Sequence, residues 1–168
     1  MRRDCHIIKA SHGADDWIAA FHDLGLQPLM NEHVVLEHDG GEFVIAGIND
    51  FSTNSSAHSH VSDSQPALLD RPGGMPKIML AHQPPSARAV EAAGSDLQLS
   101  GHTHGGQFWP WNYFARIQQP YVAGLHRHER MWIYASRGTG HWGPPKRFGA
   151  RLRSPSLRFR PQGDPARY

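Results

Sequence analysis

Leu97-Gln98-Leu99-Ser100-Gly101-His102-Thr103-His104-Gly105-Gly106-Gln107 decides how this 168-residue chain is read. Asp96 to Ser100 alternates polar and apolar residues as a short strand does, then runs into a glycine-rich turn carrying two imidazoles two positions apart. Glycine at 101, 105 and 106 lets the backbone turn tightly and approach an ion, while the strand end presents His102 and His104. A second apolar run, Ile78-Met79-Leu80-Ala81, ends in the same way at His82. Two strands therefore bring three candidate metal ligands, His82, His102 and His104, to one sheet edge. The plainer alternative is a turn whose histidines only close their strands.

Working outward, Pro85 to Ala93 is expected to be a helix stopped by Gly94, between the strands Lys77 to Ala81 and Asp96 to Ser100. Strand, helix, strand with reactive residues at the strand ends is the α/β pattern, in which sites gather beyond the carboxyl edge of the sheet. Earlier in the chain, Trp17, Ile18, Phe21 and Leu24 recur at helical spacing from Ala14 to Leu24, with Gly25 just past the end. Val34 to Leu36 and Phe43 to Ala46 read as strands joined through Asp39-Gly40-Gly41, a hairpin signal. Residues 49 to 76 form a long loop with one short helical candidate, Ser64 to Asp70. Asp50 opens that loop, either as an acid touching the site or as a turn cap. Phe108 to Phe114 is a dense aromatic loop, expected to pack over the site as a lid wall or to form an exposed patch facing lipid. Met131 to Ala135 and Leu157 to Phe159 are expected as later strands.

These motifs carry a resemblance. Ile78-Met79-Leu80-Ala81-His82-Gln83-Pro84 followed by the Gly-His-Thr-His-Gly-Gly-Gln stretch resembles the last two metal-binding motifs of the calcineurin-like metallophosphoesterases. Gly13 to Trp17, Ala46 to Asp50, Gln119 to Leu125 and Ser136 to Gly140 resemble the bacterial branch that includes membrane-associated phosphoesterases. The resemblance covers roughly residues 13 to 149, leaving 1–12 as an atypical N-terminal segment and 150–168 as a basic tail. It implies part of a four-layer α/β/β/α sandwich, with Met131 to Ala135 in its second sheet. It also implies a binuclear centre of Mn, Fe or Zn type in which His82 and His102 bind one ion and His104 the other. The family's Asp-x-His, Gly-Asp-x-x-Asp and Gly-Asn-His-Asp motifs, which supply the remaining ligands and a catalytic histidine, are not in this chain. The expectation is accordingly a domain lacking its N-terminal portion, with an unpaired sheet edge that promotes self-association. His6 and His12 stand outside any Asn-His-Asp context, and no catalytic residue is assigned.

Composition limits the remaining possibilities. A hydrophobic content of 39% is that of a globular domain, and the single cysteine, Cys5, excludes an internal disulfide framework. No apolar run reaches the ~20 residues needed to span a bilayer, so a soluble, cytoplasmic chain is expected, although relatives in this branch are often membrane-associated. Residues 144 to 168 hold seven Lys or Arg against one Asp, which leaves the body net acidic. That basic run allows peripheral contact with phospholipid, but it has no aromatic stacking platform and gives no case for specific nucleic-acid binding. The other paired imidazoles, His58 with His60 and His126 with His128, read as surface residues, as does His141. Of these, His126 is the candidate for lining a substrate pocket. Arg137, between Ser136 and Gly138 after an apolar strand, either grips phosphate bidentately or makes a structural salt bridge.

Phosphoesters repel nucleophiles, and divalent ions answer this by binding the phosphate oxygens and lowering the pKa of a bound water. Three imidazoles alone can hold one zinc with an open position. The chain therefore reads as a metal-dependent phosphoesterase acting on a phosphomonoester or phosphodiester, with a lipid-linked or nucleotide-like substrate. The rival is a catalytically incompetent remnant that binds a metal or a surface.

Overall fold

The computed structural model describes residues 14–50, 64–68, 74–140 and 156–158. His6, His12, His58, His60, His141 and most of the basic tail lie outside the described residues. The elements are α1 (Ala14–Asp23), β1 (Glu32–His38), β2 (Gly41–Gly47), α2 (Ser64–Ala67), β3 (Lys77–Leu80), α3 (Ala87–Ala92), β4 (Leu97–Ser100), α4 (Trp111–Gln118), β5 (Gly124–His128) and β6 (Met131–Ala135). Six strands form one sheet in the order β1-β2-β3-β4-β6-β5. The four central strands β2, β3, β4 and β6 are mutually parallel, and the edge strands β1 and β5 are antiparallel to their neighbours. The α/β class expected from sequence holds.

Local chemistry accounts for the turns. The β1–β2 hairpin closes on Asp39 and Gly40, both at positive φ (51° and 74°), the conformation of the two-residue turn that matches strand twist. A 3-10 turn at Pro84–Ser86 leads into α3. That helix stops where Gly94 takes φ 81°, with Gly94 N–H donating to Glu91 O and Ser95 N–H to Val90 O. Its buried face, Ala87 and Val90, packs with Val44, Ala46, Met79 and Ile133 into one apolar cluster. Each fully buried Val, Ile or Met of this layer contributes about 1.5–3 kcal/mol. On the other face, Trp132 and Leu125 remain exposed.

Three expectations change. Met131–Ala135 does not open a second sheet. It pairs in parallel with β4 through Leu97↔Trp132 to Ser100↔Ala135, because a buried apolar strand beside β4 satisfies the main chain of both. No second sheet is found among the described residues. The aromatic loop is in large part helix α4, preceded by Pro110, and β5 forms a hairpin with β6 that the sequence did not announce. Ser156 to Arg158 has no regular structure, and Phe159 lies outside the described residues.

Gly47 leaves no room for a side chain: a Cβ there would stand 2.7 Å from Leu29 Cβ and 2.8 Å from Leu29 O. Gly47→Ala is expected to lower stability by about 1–3 kcal/mol through overpacking. Gly41→Ala, whose Cβ would meet only His38 O at 3.6 Å, should stay within about 0.5 kcal/mol of the parent. Urea unfolding midpoints of the two variants test the difference.

Candidate active site at the carboxyl edge of the sheet

Since the four central strands run the same way, their carboxyl ends meet at one edge. Asn49 and Asp50 follow β2, His82 and Gln83 follow β3, His102 and His104 follow β4, and Arg137 follows β6. Main-chain bonding continues past the strand ends. Ile48 N–H donates to Leu80 O (3.1 Å), Ala81 N–H to Leu99 O (3.1 Å), Gly101 N–H to His82 O (3.0 Å) and Ser136 N–H to Ser100 O (2.7 Å). The loops therefore leave from fixed positions.

The His82 and His102 rings lie edge to face with centroids 5.2 Å apart. Gly101 flanks this pair: a Cβ there would reach 3.7 Å from His82 Nδ1, so any larger side chain would cover the ring. Beyond it the backbone is strained. His102, His104 and Gln107 take φ of 64°, 49° and 55°, and Gly105 and Gly106 take 66° and 75°. Non-glycine residues in this region cost about 1–3 kcal/mol each and persist where the surroundings over-determine them. Here the constraint is a net of short bonds: Thr103 Oγ1 donates to Val122 O (2.6 Å), Gly106 N–H to Thr103 O (2.8 Å) and Gln107 N–H to His104 O (3.2 Å).

Arg137 belongs to the same place. A Cβ on Gly105 would stand 2.9 Å from Arg137 Cγ, so the arginine stem lies directly on the histidine turn. Gly138 N–H donates to Ser136 Oγ (3.0 Å), which shapes the turn carrying the arginine.

Beneath the edge runs a buried polar chain that sequence reasoning missed. Gln83 Nε2 donates to Asp50 Oδ1 (2.6 Å), and fully buried Gln98 donates to Ser86 Oγ (3.0 Å) and Ser100 Oγ (2.8 Å). Ser86 Oγ donates to Gln83 O (2.7 Å) and Ser100 Oγ to Ala81 O (2.7 Å). Asp50 is thereby a buried acid tied to the residue after His82. The available signal was the placing of Gln98 and Ser100 on the face of β4 that meets the apolar cluster.

His126 and His128 are not plain surface residues. Both are half-buried around Tyr121, whose hydroxyl is 2.7 Å from His128 Nδ1, while His126 Nε2 is 2.9 Å from Ala123 O. The one ring nitrogen of His126 is thus engaged with the main chain of the segment that Thr103 grips. The aromatic stretch does not pack as a lid wall: Trp109, Trp111, Tyr113, Phe114 and Ile117 are exposed, with Trp111 stacked on Phe108 and tilted against Phe114.

For a metal ion, the chemistry of the donors fits: two imidazoles from different strands lie with their centroids 5.2 Å apart and could supply two ligands. Among the described residues no group of three His, Cys, Asp or Glu side chains lies close enough to hold an ion, so His104 does not join the pair.

Comparison with known proteins gives the family. A transmembrane protein with metallophosphoesterase domain from Bos taurus is 36% identical over 146 residues, covering 81% of this chain and 33% of that protein. An uncharacterized metallophosphoesterase of Helicobacter pylori is 37% identical over 153 residues, 90% of this chain and 40% of the relative. Phosphodiesterase YaeI of Escherichia coli is 30% identical over 120 residues, 69% of this chain and 41% of the relative. The chain thus spans between a third and about two-fifths of the length of these curated relatives. No family model and no solved structure matches. No helix among the described residues is long and apolar enough to cross a membrane. With relatives from an animal and a bacterium both named for a metallophosphoesterase, and the two histidine motifs seated on adjacent parallel strands, the chain belongs to the calcineurin-like metallophosphoesterase superfamily.

Proposed function

We propose that the carboxyl edge of this sheet is part of a metal-dependent phosphoesterase site acting on a phosphomonoester or phosphodiester. The observation that carries the reading is the meeting of the His82–His102 ring pair with Arg137 lying on the histidine turn. His82 and His102 would hold one ion and His104 a second, and such ions, when bound, supply Lewis acidity and an activated water. Arg137 would orient the substrate, its planar guanidinium matching two phosphate oxygens. The Asp50–Gln83 bond holds the His82 turn against β2. The exposed aromatics of α4, directly after the turn, favour a phosphoester with an apolar substituent, such as a lipid-linked one, over a nucleotide.

A second reading, metal binding without turnover, is favoured by one observation: a third His, Cys, Asp or Glu does not join the pair among the described residues. Hydrolysis of bis(4-nitrophenyl) phosphate by the full chain with Mn2+ or Zn2+ separates the two. The enzymatic reading expects turnover that His102→Ala reduces by at least about 100-fold. Metal uptake with no turnover above His102→Ala assigns the second reading.

Arg137→Ala is expected to raise KM or lower kcat by about tenfold or more, as loss of a charge-assisted pair does. Gly105→Ala should match it, because its Cβ at φ +66° displaces the same arginine, at a stability cost of about 1–3 kcal/mol. Steady-state kinetics in which Gly105→Ala is as active as the parent would remove Arg137 from the site.

A further inference from the structure

Thr103 separates His102 from His104, and its side chain reaches out of the histidine turn. Thr103 Oγ1 donates to Val122 O at 2.6 Å, while Gly101 O, an acceptor within its own turn, is 3.4 Å away. A hydroxyl has a single proton to give, so the shorter bond takes it. That bond positions the turn only if Val122 O is itself held. Val122 belongs to the segment 119–123, which follows α4, precedes β5 and is part of neither. In a segment of this kind a carbonyl swings unless its neighbours are tied down.

Both neighbours of Val122 are tied down. Tyr121 packs against the apolar cluster, and its hydroxyl is 2.7 Å from His128 Nδ1. Its ring also meets those of His126 and His128, with centroids 5.3 and 5.9 Å away. On the other side, Ala123 O is 2.9 Å from His126 Nε2, and since a carbonyl only accepts, Nε2 carries the proton. His126 and His128 stand on β5, paired with the buried Ile133 and Met131 of β6. Contacts therefore run without a break from the core, through Tyr121 and the imidazoles of β5, to the Val122 carbonyl and the Thr103 hydroxyl.

We propose that Thr103 is a positioning residue of this site: it sets His102 and His104 from between them, and Tyr121, His126 and His128 hold the carbonyl it uses. The inference rests on the metallophosphoesterase reading and adds to it a support that touches neither ion nor substrate. His102 and His104 sit at φ 64° and 49° on either side of Thr103 at −74°, so a rotation at Thr103 carries both imidazoles with it. A neutral hydrogen bond adds little net stability, but it has a direction, and losing it frees that rotation. Groups that orient metal-ligating side chains from outside change metal affinity or activity by about 10–100-fold when removed. His126 has in this arrangement a different task from lining a pocket: its Nε2–H is committed to the main chain, and it acts on the site through Val122.

Mn2+ titration calorimetry, thermal unfolding and steady-state hydrolysis of bis(4-nitrophenyl) phosphate by the full chain test this, on the parent, Thr103→Val, Thr103→Ser and Tyr121→Phe, at a temperature where every variant is folded. Thr103→Val keeps the branched shape and removes the hydroxyl. It is expected to bind Mn2+ about tenfold more weakly or worse and to lower kcat about as much, with KM within about twofold of the parent. Thr103→Ser restores the hydroxyl, and with it Mn2+ affinity and kcat to within about threefold of the parent. Tyr121→Phe, which keeps the ring and loses the bond to His128, shifts both in the direction of Thr103→Val by about threefold. Where the parent binds Mn2+ without turnover, the affinities alone decide. If Thr103→Val and Tyr121→Phe melt lower but keep the parent's Mn2+ affinity and kcat, these contacts are structural and only this assignment falls. A higher KM with kcat and Mn2+ affinity unchanged puts Thr103 against the substrate and overturns it likewise. If the parent neither binds Mn2+ nor hydrolyses the diester, this assignment and the metal-dependent function fall together.

Discussion

The main-chain bonds that run past the ends of β2, β3, β4 and β6 are the constraint on which the site depends. Parallel strands put like ends together, but a site also needs the first residues beyond each strand to be held, and free loops would not hold them. Ile48, Ala81, Gly101 and Ser136 each donate across to the next strand or to the turn that leaves it. His82 and Gly101 thereby remain in register outside the sheet proper, and the ring of His102 meets that of His82 without a side chain between them. Burial of apolar residues on the α3 face fixes the strands. The edge bonds transfer that rigidity to the histidines.

The polar chain beneath the edge has a different energetic character. Gln98 is fully buried, and its Oε1 has no partner among the described residues. An apolar residue of similar volume would be at least as favourable for stability, since neutral buried hydrogen bonds gain only about 0.5–1.5 kcal/mol net. What the chain supplies is geometry: Gln98 and its two serines bind the carbonyls of Gln83 and Ala81, on either side of His82. The turn carrying His82 is therefore clamped from below, while Asp50 holds Gln83 from the side of β2.

How much of this was legible in the sequence depended on whether the signal was local. The Asp39-Gly40 hairpin, the Gly94 helix stop and the strands before His82 and Gly101 are each written within a few residues, and the structure forms all of them. The β5–β6 hairpin was illegible because its turn, Glu129-Arg130, contains none of the usual turn residues: Glu129 takes φ 49° and is held by strand pairing on both sides. Helix α4 was hidden by its aromatic composition and by the lack of a capping side chain at Pro110. The placing of β6 in the same sheet is a non-local outcome that no window of sequence encodes. Of the site, the His82–His102 pairing and the contact of Arg137 with Gly105 follow from topology, while the Asp50–Gln83 bond links residues 33 apart.

The two edges of the sheet differ in a way that folding alone does not explain. At the amino edge the turns are of the kind sequences adopt readily: Asp-Gly before β2, a glycine stop before β4, and Asp96 Oδ2 accepting the Lys77 N–H at 2.8 Å, with Glu129 the exception. At the carboxyl edge His102, His104 and Gln107 sit at positive φ, Asn49 carries orphaned buried atoms, and α4, which follows the histidine turn, leaves its aromatic side chains in water. Each departure disfavours the folded state by a kilocalorie or more on ordinary scales. Random imperfection would distribute such costs over the surface. Their concentration within one loop's reach of the histidine pair is what a binding edge requires, because groups left unsatisfied in the empty protein are those a ligand can satisfy.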